Sequence, residues 1–129
     1  DTDALIEEKA GKKISEIFAQ HGEAYFRDLE TEVILEVSKR AGAVIATGGG
    51  VVLRQENVDA LKLNGRIFYI DRPVHMLIPT DDRPLAGTKE AIKQRYRERS
   101  SIYKNTADVV IKNPHTPEKA VCKILETLK

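Results

Sequence analysis

The chain has 129 residues, 21 Lys plus Arg against 20 Asp plus Glu, a formal net charge of +1, and 41% hydrophobic and 32% charged residues. This composition excludes a disordered chain, which needs low hydrophobicity and high net charge, and a membrane-spanning helix, which needs a run of ~18 apolar residues. It argues against a nucleic-acid partner, whose footprint is a strong basic excess. The length fits a single domain over residues 1–129.

The near-neutral total hides a polarity. Residues 1–36 carry ten acids and four bases, a local charge of −6. The stretch 89–104 carries six bases against Glu90 and Glu98. A basic helix inside a neutral chain points to a specific anionic ligand rather than a broad polyanion. The one cysteine, Cys122, lies in a helical pattern and is expected to be a small buried hydrophobe. A cytoplasmic location fits this cysteine usage and the absence of a visible signal peptide. A first residue of Asp rather than Met is expected for a chain that was processed, cut or incompletely described.

In chain order, Ala4–Ala10 reads as a helix with Asp3 as N-cap and Gly11 as its stop. Ile14–His21 reads as a second helix, stopped by Gly22. Glu23–Ala41 reads as a third, because Phe26, Leu29, Val33 and Val37 fall on one helical face, and Gly42 is its stop. The period then changes. Ala43–Thr47 is a short continuous apolar run, expected as a parallel strand buried on both faces, and it ends in Gly48, Gly49 and Gly50. A helix around Asn57–Leu63 and the turn Asn64-Gly65 follow. Arg66–Asp71 reads as a second buried strand, and residues 79–88 read as a polar loop with two prolines. A helix over Lys89–Tyr103 and a strand over Val109–Ile111 come next, then a last helix capped by Thr116 with Pro117 at its first position. Alternating strands and helices imply a parallel sheet with helices on both faces. Ligands of such sheets bind beyond the carboxyl ends of the strands, where the glycine run is expected.

Several residues offer chemistry. The glycine run directly after a buried strand lets a group pack on bare backbone. Asp1 and Asp3 either cap a helix or, as a carboxylate pair, hold Mg²⁺ and take a proton from a hydroxyl. Arg27 and Glu30, three apart, either form a simple surface pair or a carboxylate clamp whose orienting partner is Glu30. Arg83, in the polar loop, is either a surface residue or a lid arginine over a phosphate. Arg95, Arg97 and Arg99 interleave with Tyr96 and Tyr103. Alternate helix positions point apart, so at most one or two of these arginines serve one ligand. His21, His75 and His115 lack metal-ligand spacing and are expected at the surface or at helix ends.

The order of motifs is specific. DTDxxIE from Asp1, GxxIxEIFxxHGExxFRxLE from Gly11, VIATGGGVV from Val44, DRPLA from Asp82 and RxxIYxxxADVVI from Arg99 together resemble shikimate kinase over essentially the whole chain. The resemblance implies a three-layer α/β/α P-loop kinase fold with a parallel sheet. It implies transfer of the γ-phosphoryl of ATP to the 3-hydroxyl of shikimate, with Mg²⁺, in aromatic amino-acid biosynthesis. Asp1 then matches the Mg²⁺ carboxylate and Asp3 the residue that binds shikimate hydroxyls and acts as base. Arg27 matches the arginine on the shikimate carboxylate, supported by Glu30, with Phe18 and Phe26 lining the site. Gly48, Gly49 and Gly50 match the floor of the pocket. Arg83 matches the lid arginine that reaches phosphate, and Arg99 a second arginine on the shikimate carboxylate.

Two departures stand out. No GxxxxGK[ST] occurs, and in the family that loop precedes DTD, so the α/β fold is expected to be incomplete at its N-terminus and these 129 residues alone inactive. The stretch 74–79 holds no arginine for the nucleotide side, which fits a shorter lid. The intact protein is expected as a monomer, and a chain of these residues alone is expected to self-associate through unpaired strand edges. The alternative is a non-catalytic shikimate-binding or assembly module derived from a kinase.

Overall fold

The computed structural model describes residues 1–77 and 88–129. They fall into two compact units, 1–65 and 66–77 with 88–129.

The first unit begins with α1, Thr2–Ala10. Its N-cap is Asp1 rather than the expected Asp3: Asp1 Oδ1 accepts from the backbone N–H groups of Asp3 and Ala4 at 2.9 and 3.2 Å. The cap works two residues earlier because Asp1 lies just outside the helix, where a carboxylate can reach the orphan N–H groups of the first turn. Gly11 closes α1 at φ 69°, in the left-handed region, and donates its N–H to the Glu7 carbonyl. Helix α2, Ile14–Val37, contains the expected break as a kink: Gly22 sits at φ 84°, ψ 178°. The predicted face holds. Phe26, Val33 and Val37 form the core with Ile14, Ile17 and Ile6, and Phe18, Leu29 and Ile45 pack against it. Each such side chain contributes ~1.5–3 kcal/mol on full burial. At the rim, Lys9 Nζ meets Glu36 Oε1 at 2.6 Å and ties α1 to α2.

The run Ala43–Thr47 is a correction. It is assigned to no strand, and Val44 is 99% exposed. A strand exists only where its N–H and C=O groups find a ladder, and no neighbouring strand pairs with this run among the described residues. The Thr2 N–H donates to the Ala46 carbonyl at 2.9 Å, so the run is tied to the start of α1. The glycines then open a 3₁₀ turn, Gly49–Leu53, followed by α3, Gln55–Leu63.

In the second unit β1, Phe68–Asp71, pairs in parallel with β2, Val109–Lys112, in the register Phe68↔Val109 to Asp71↔Lys112. Arg66–Asp71 reads as a buried strand, yet Ile70 is 48% exposed, and Val110 of β2 is 37% exposed. Ile111 and Asp71 are buried on opposite faces of the pair, because the register sets Ile111 beside Ile70 and Asp71 beside Lys112. Helix α4, Lys89–Thr106, is capped by the Thr88 hydroxyl, and α5, Pro117–Thr127, by Thr116 with Pro117 at its first position, as expected. Cys122 is exposed, against expectation. The buried position of α5 is Ala120, and Cys122, two residues on, points about 200° around the helix. The three histidines are exposed, as expected.

Asp71 organises this unit. Its Oδ1 accepts from the hydroxyls of Tyr69 and Tyr96, each at 3.1 Å, so one carboxylate at the end of β1 holds a residue of α4. Tyr103 adds a ring contact to Tyr69 at 5.0 Å. Burial first, and then the Asp71 charge, push the Tyr69 phenol well above its ordinary range. Among the described residues no helix is long and apolar enough to cross a membrane.

Candidate active site

The first unit gathers Asp3, Arg27 and Glu30 around the glycine turn. Arg27 and Glu30 lie three apart on α2, so both project to one side of it. Arg27 Nη1 donates to Glu30 Oε1 at 2.9 Å, and Nη2 meets Glu23 Oε2 at 3.4 Å. Glu30 is 1% exposed, so this pair is no surface decoration. A buried carboxylate without a partner would neutralise itself. Burial pushes the Glu30 carboxyl above its ordinary value; the Arg27 hydrogen bond and charge oppose that, Asp3 adds to it, and Arg54 opposes it. Among the described residues the buried Arg27 Nε has no hydrogen-bond partner.

The glycines are required by close approach. A Cβ on Gly50 would overlap the Arg27 guanidinium. A Cβ on Gly48 would stand 3.1 Å from Asp3 Oδ1 and 3.4 Å from Glu30 Oε2. Two carboxylates and a guanidinium therefore converge on bare backbone. Gly49, between them, is exposed. The turn is held from behind. The Val51 carbonyl accepts from Asn57 Nδ2 at 3.1 Å and from the Arg54 N–H at 3.5 Å.

The aromatics belong more to the core than to the site. The Phe26 and Phe18 rings lie 4.8 Å apart, and Phe26 is buried; its ring also carries the Arg27 guanidinium at 5.1 Å. Asp1 is exposed at the head of α1, with Oδ1 engaged as cap. A carboxylate has about four lone-pair sites, so it retains acceptor capacity. Among the described residues no three His, Cys, Asp or Glu side chains gather into a metal cage. One or two carboxylates that share a hard cation with substrate phosphates fit Mg²⁺, and Asp1 suits that manner of binding.

Arg99 is buried on α4, in the second unit, while Arg97 is exposed. The expected loop over 79–88, with Arg83, lies outside the described residues except for Thr88. Sequence reasoning missed Arg54 and Asn57. Their signal was slight: a base and an amide at the start of a helix that follows a glycine run.

Comparison with known proteins bears on this geometry. The profile of the family described as Shikimate kinase matches residues 1–129. A shikimate kinase of Clostridium botulinum (strain Eklund 17B / Type B) is 46% identical over 128 residues, covering 96% of this chain and 77% of that protein. One from Aquifex aeolicus (strain VF5) is 35% identical, covering 100% and 79%. Among solved structures, a shikimate kinase from Acinetobacter baumannii in complex with shikimate superposes with a TM-score of 0.88 at 29% identity, covering 99% of this chain and 75% of that one. The crystal structure of the Aquifex aeolicus enzyme gives 0.82 at 35% identity, covering 99% and 79%. The fold is therefore of the expected α/β kinase class, with the parallel β1–β2 pair as part of it.

Proposed function

The chain belongs to the shikimate kinase family, and on that premise we propose that its first unit binds shikimate over the glycine turn for transfer of the γ-phosphoryl of ATP to the 3-hydroxyl. The observation that carries this reading is the convergence of Asp3 and Glu30 on Gly48 and of Arg27 on Gly50. A small polyhydroxylated acid needs a guanidinium for its carboxylate and carboxylates for its hydroxyls. Arg27 grips the carboxylate, and Glu30 orients Arg27. Asp3 takes the 3-hydroxyl proton as that oxygen bonds to the γ-phosphorus and the bond to the ADP oxygen breaks. Phe18 and Phe26, which pack in the core behind Arg27, line the pocket by family likeness. Arg99 is a second arginine for the carboxylate and Arg83 a phosphate contact, both by family likeness. Mg²⁺ at Asp1 would neutralise phosphate charge. The place of work is the cytoplasm, by the same likeness.

A phosphate cradle of the form GxxxxGK[ST] does not occur in these 129 residues. A polypeptide of these residues alone is therefore expected to bind shikimate and to leave ATP unhydrolysed. Calorimetric titration with shikimate tests the site: binding that disappears in Arg27→Ala supports it, and binding that survives overturns it. Phosphorylation of shikimate by the 129-residue polypeptide itself would show that the cradle lies elsewhere in the chain.

A further inference from the structure

Arg54 is the last residue before α3 and the first after the 3₁₀ turn that the glycines open. A helix start normally uses its side chain as a cap, but Arg54 makes no cap bond. Its side chain crosses instead to α2. Nη2 lies 2.9 Å from Asp28 Oδ1, and Nη1 donates to Thr31 Oγ1 at 3.2 Å. Asp28 adjoins Arg27 and Thr31 adjoins Glu30, so the guanidinium straddles the stretch of α2 that carries the Arg27–Glu30 pair. Thr31 is buried, which makes that bond more than a surface contact. An isolated surface ion pair contributes little. A planar fork with two acceptors on one helix, Thr31 being 23 residues away in sequence, restrains the relative placement of two segments.

We propose that Arg54 is a positioning residue for the substrate carboxylate: it fastens the turn that leaves the glycine run to α2 and keeps positive charge on the Glu30 side, so that Arg27 stays set against Gly50. This rests on the shikimate-binding reading of the site. Among the described residues the charged groups facing Glu30 are Arg27 on its own helix, Asp3 on α1 and Arg54 at the start of α3. The glycine turn adds only backbone. Arg27 and Arg54 favour the ionised Glu30 that an orienting partner must be, and Asp3 opposes it. Removal of Arg54 then has two effects: the turn loosens, and Glu30 protonates at higher pH.

The test is shikimate titration across the acidic pH range with wild type, Arg54→Gln, Arg54→Lys and Arg27→Ala. Arg54→Gln is expected to weaken binding roughly three- to tenfold and to move the acidic fall-off of affinity to higher pH. Arg54→Lys, which keeps the charge, is expected to restore the wild-type fall-off. A structural effect alone would lower the melting temperature without moving that limb. If Arg54→Gln does not fold, Asp28→Asn and Thr31→Val release the guanidinium without removing it, and both are expected to weaken binding. Wild-type affinity and an unmoved limb in Arg54→Gln, or wild-type affinity in both alternative variants, overturn the proposal. Wild type that does not bind shikimate, or Arg27→Ala that binds it equally, overturns the underlying reading instead.

Discussion

The guanidinium of Arg27 occupies the space that a Cβ on Gly50 would need. A glycine in this turn is therefore a condition for the placement of a charged group on another helix. Arg27 is a flexible side chain, so a methyl group there displaces it rather than unfolding the chain. Gly50→Ala is expected to separate Arg27 from Glu30 and to weaken shikimate binding by about 2 kcal/mol, the scale of a hydrogen bond to a charged group. Gly48→Ala, with 3.1 Å to Asp3 Oδ1, is expected to do less harm. Calorimetry on both variants checks the order, and equal affinity in Gly50→Ala would contradict the contact.

Glu30 predicts a pH dependence. Its folded-state value is raised above the ordinary 4.5, chiefly by burial. Just above 4.5 the folded chain holds this proton more tightly than the unfolded chain does. Its contribution to stability is thus most favourable at low pH and declines as pH rises from 4.5 through the raised value. Arg27 needs the opposite state, since its hydrogen bond is strongest to the carboxylate. Binding is expected to improve over the interval in which this stability term declines. The melting temperature of wild type is expected to fall relative to that of Glu30→Gln as pH rises through that interval, and only there. A pH-independent difference would contradict the assignment.

Asp1 serves α1 whether or not it meets a cation. Asp1→Ala is expected to cost about 1 kcal/mol of stability, the usual worth of an N-cap. Asp1→Asn keeps a capping oxygen and removes the charge. It is expected to melt close to wild type while it loses Mg²⁺-dependent nucleotide contact. Thermal melts of the two variants, compared with Mg²⁺ dependence of activity in a form that carries the phosphate loop, separate the roles.

Asp71 holds two phenols with one oxygen. Asp71→Ala leaves both part-buried hydroxyls without that acceptor and is expected to cost ~1–3 kcal/mol. Asp71→Asn removes the charge and is expected to lower the pH at which Tyr69 ionises, while burial still holds it above the ordinary 10.0. Spectrophotometric phenolate titration of wild type and variant checks this, and an unchanged midpoint would assign the whole shift to burial.

Local signals in the chain determine a good deal. Thr116 with Pro117, Gly11 and Gly22 mark helix ends and a kink, because the constraints on caps and on positive φ act within a few residues. The apolar face of α2 and the i,i+3 relation of Arg27 to Glu30 follow from helical periodicity alone. The motif order was enough to reach the family that the comparisons support. Other features are long-range and only the tertiary structure decided them. Ala43–Thr47 has strand-like composition, but a strand is made by its neighbour, and no ladder forms on it among the described residues. Arg54 reads as an ordinary base until folding brings it against Asp28 and Thr31. Glu30 is one acid among ten in its third of the chain. Its burial and its raised protonation depend on desolvation by distant segments, which no local pattern encodes.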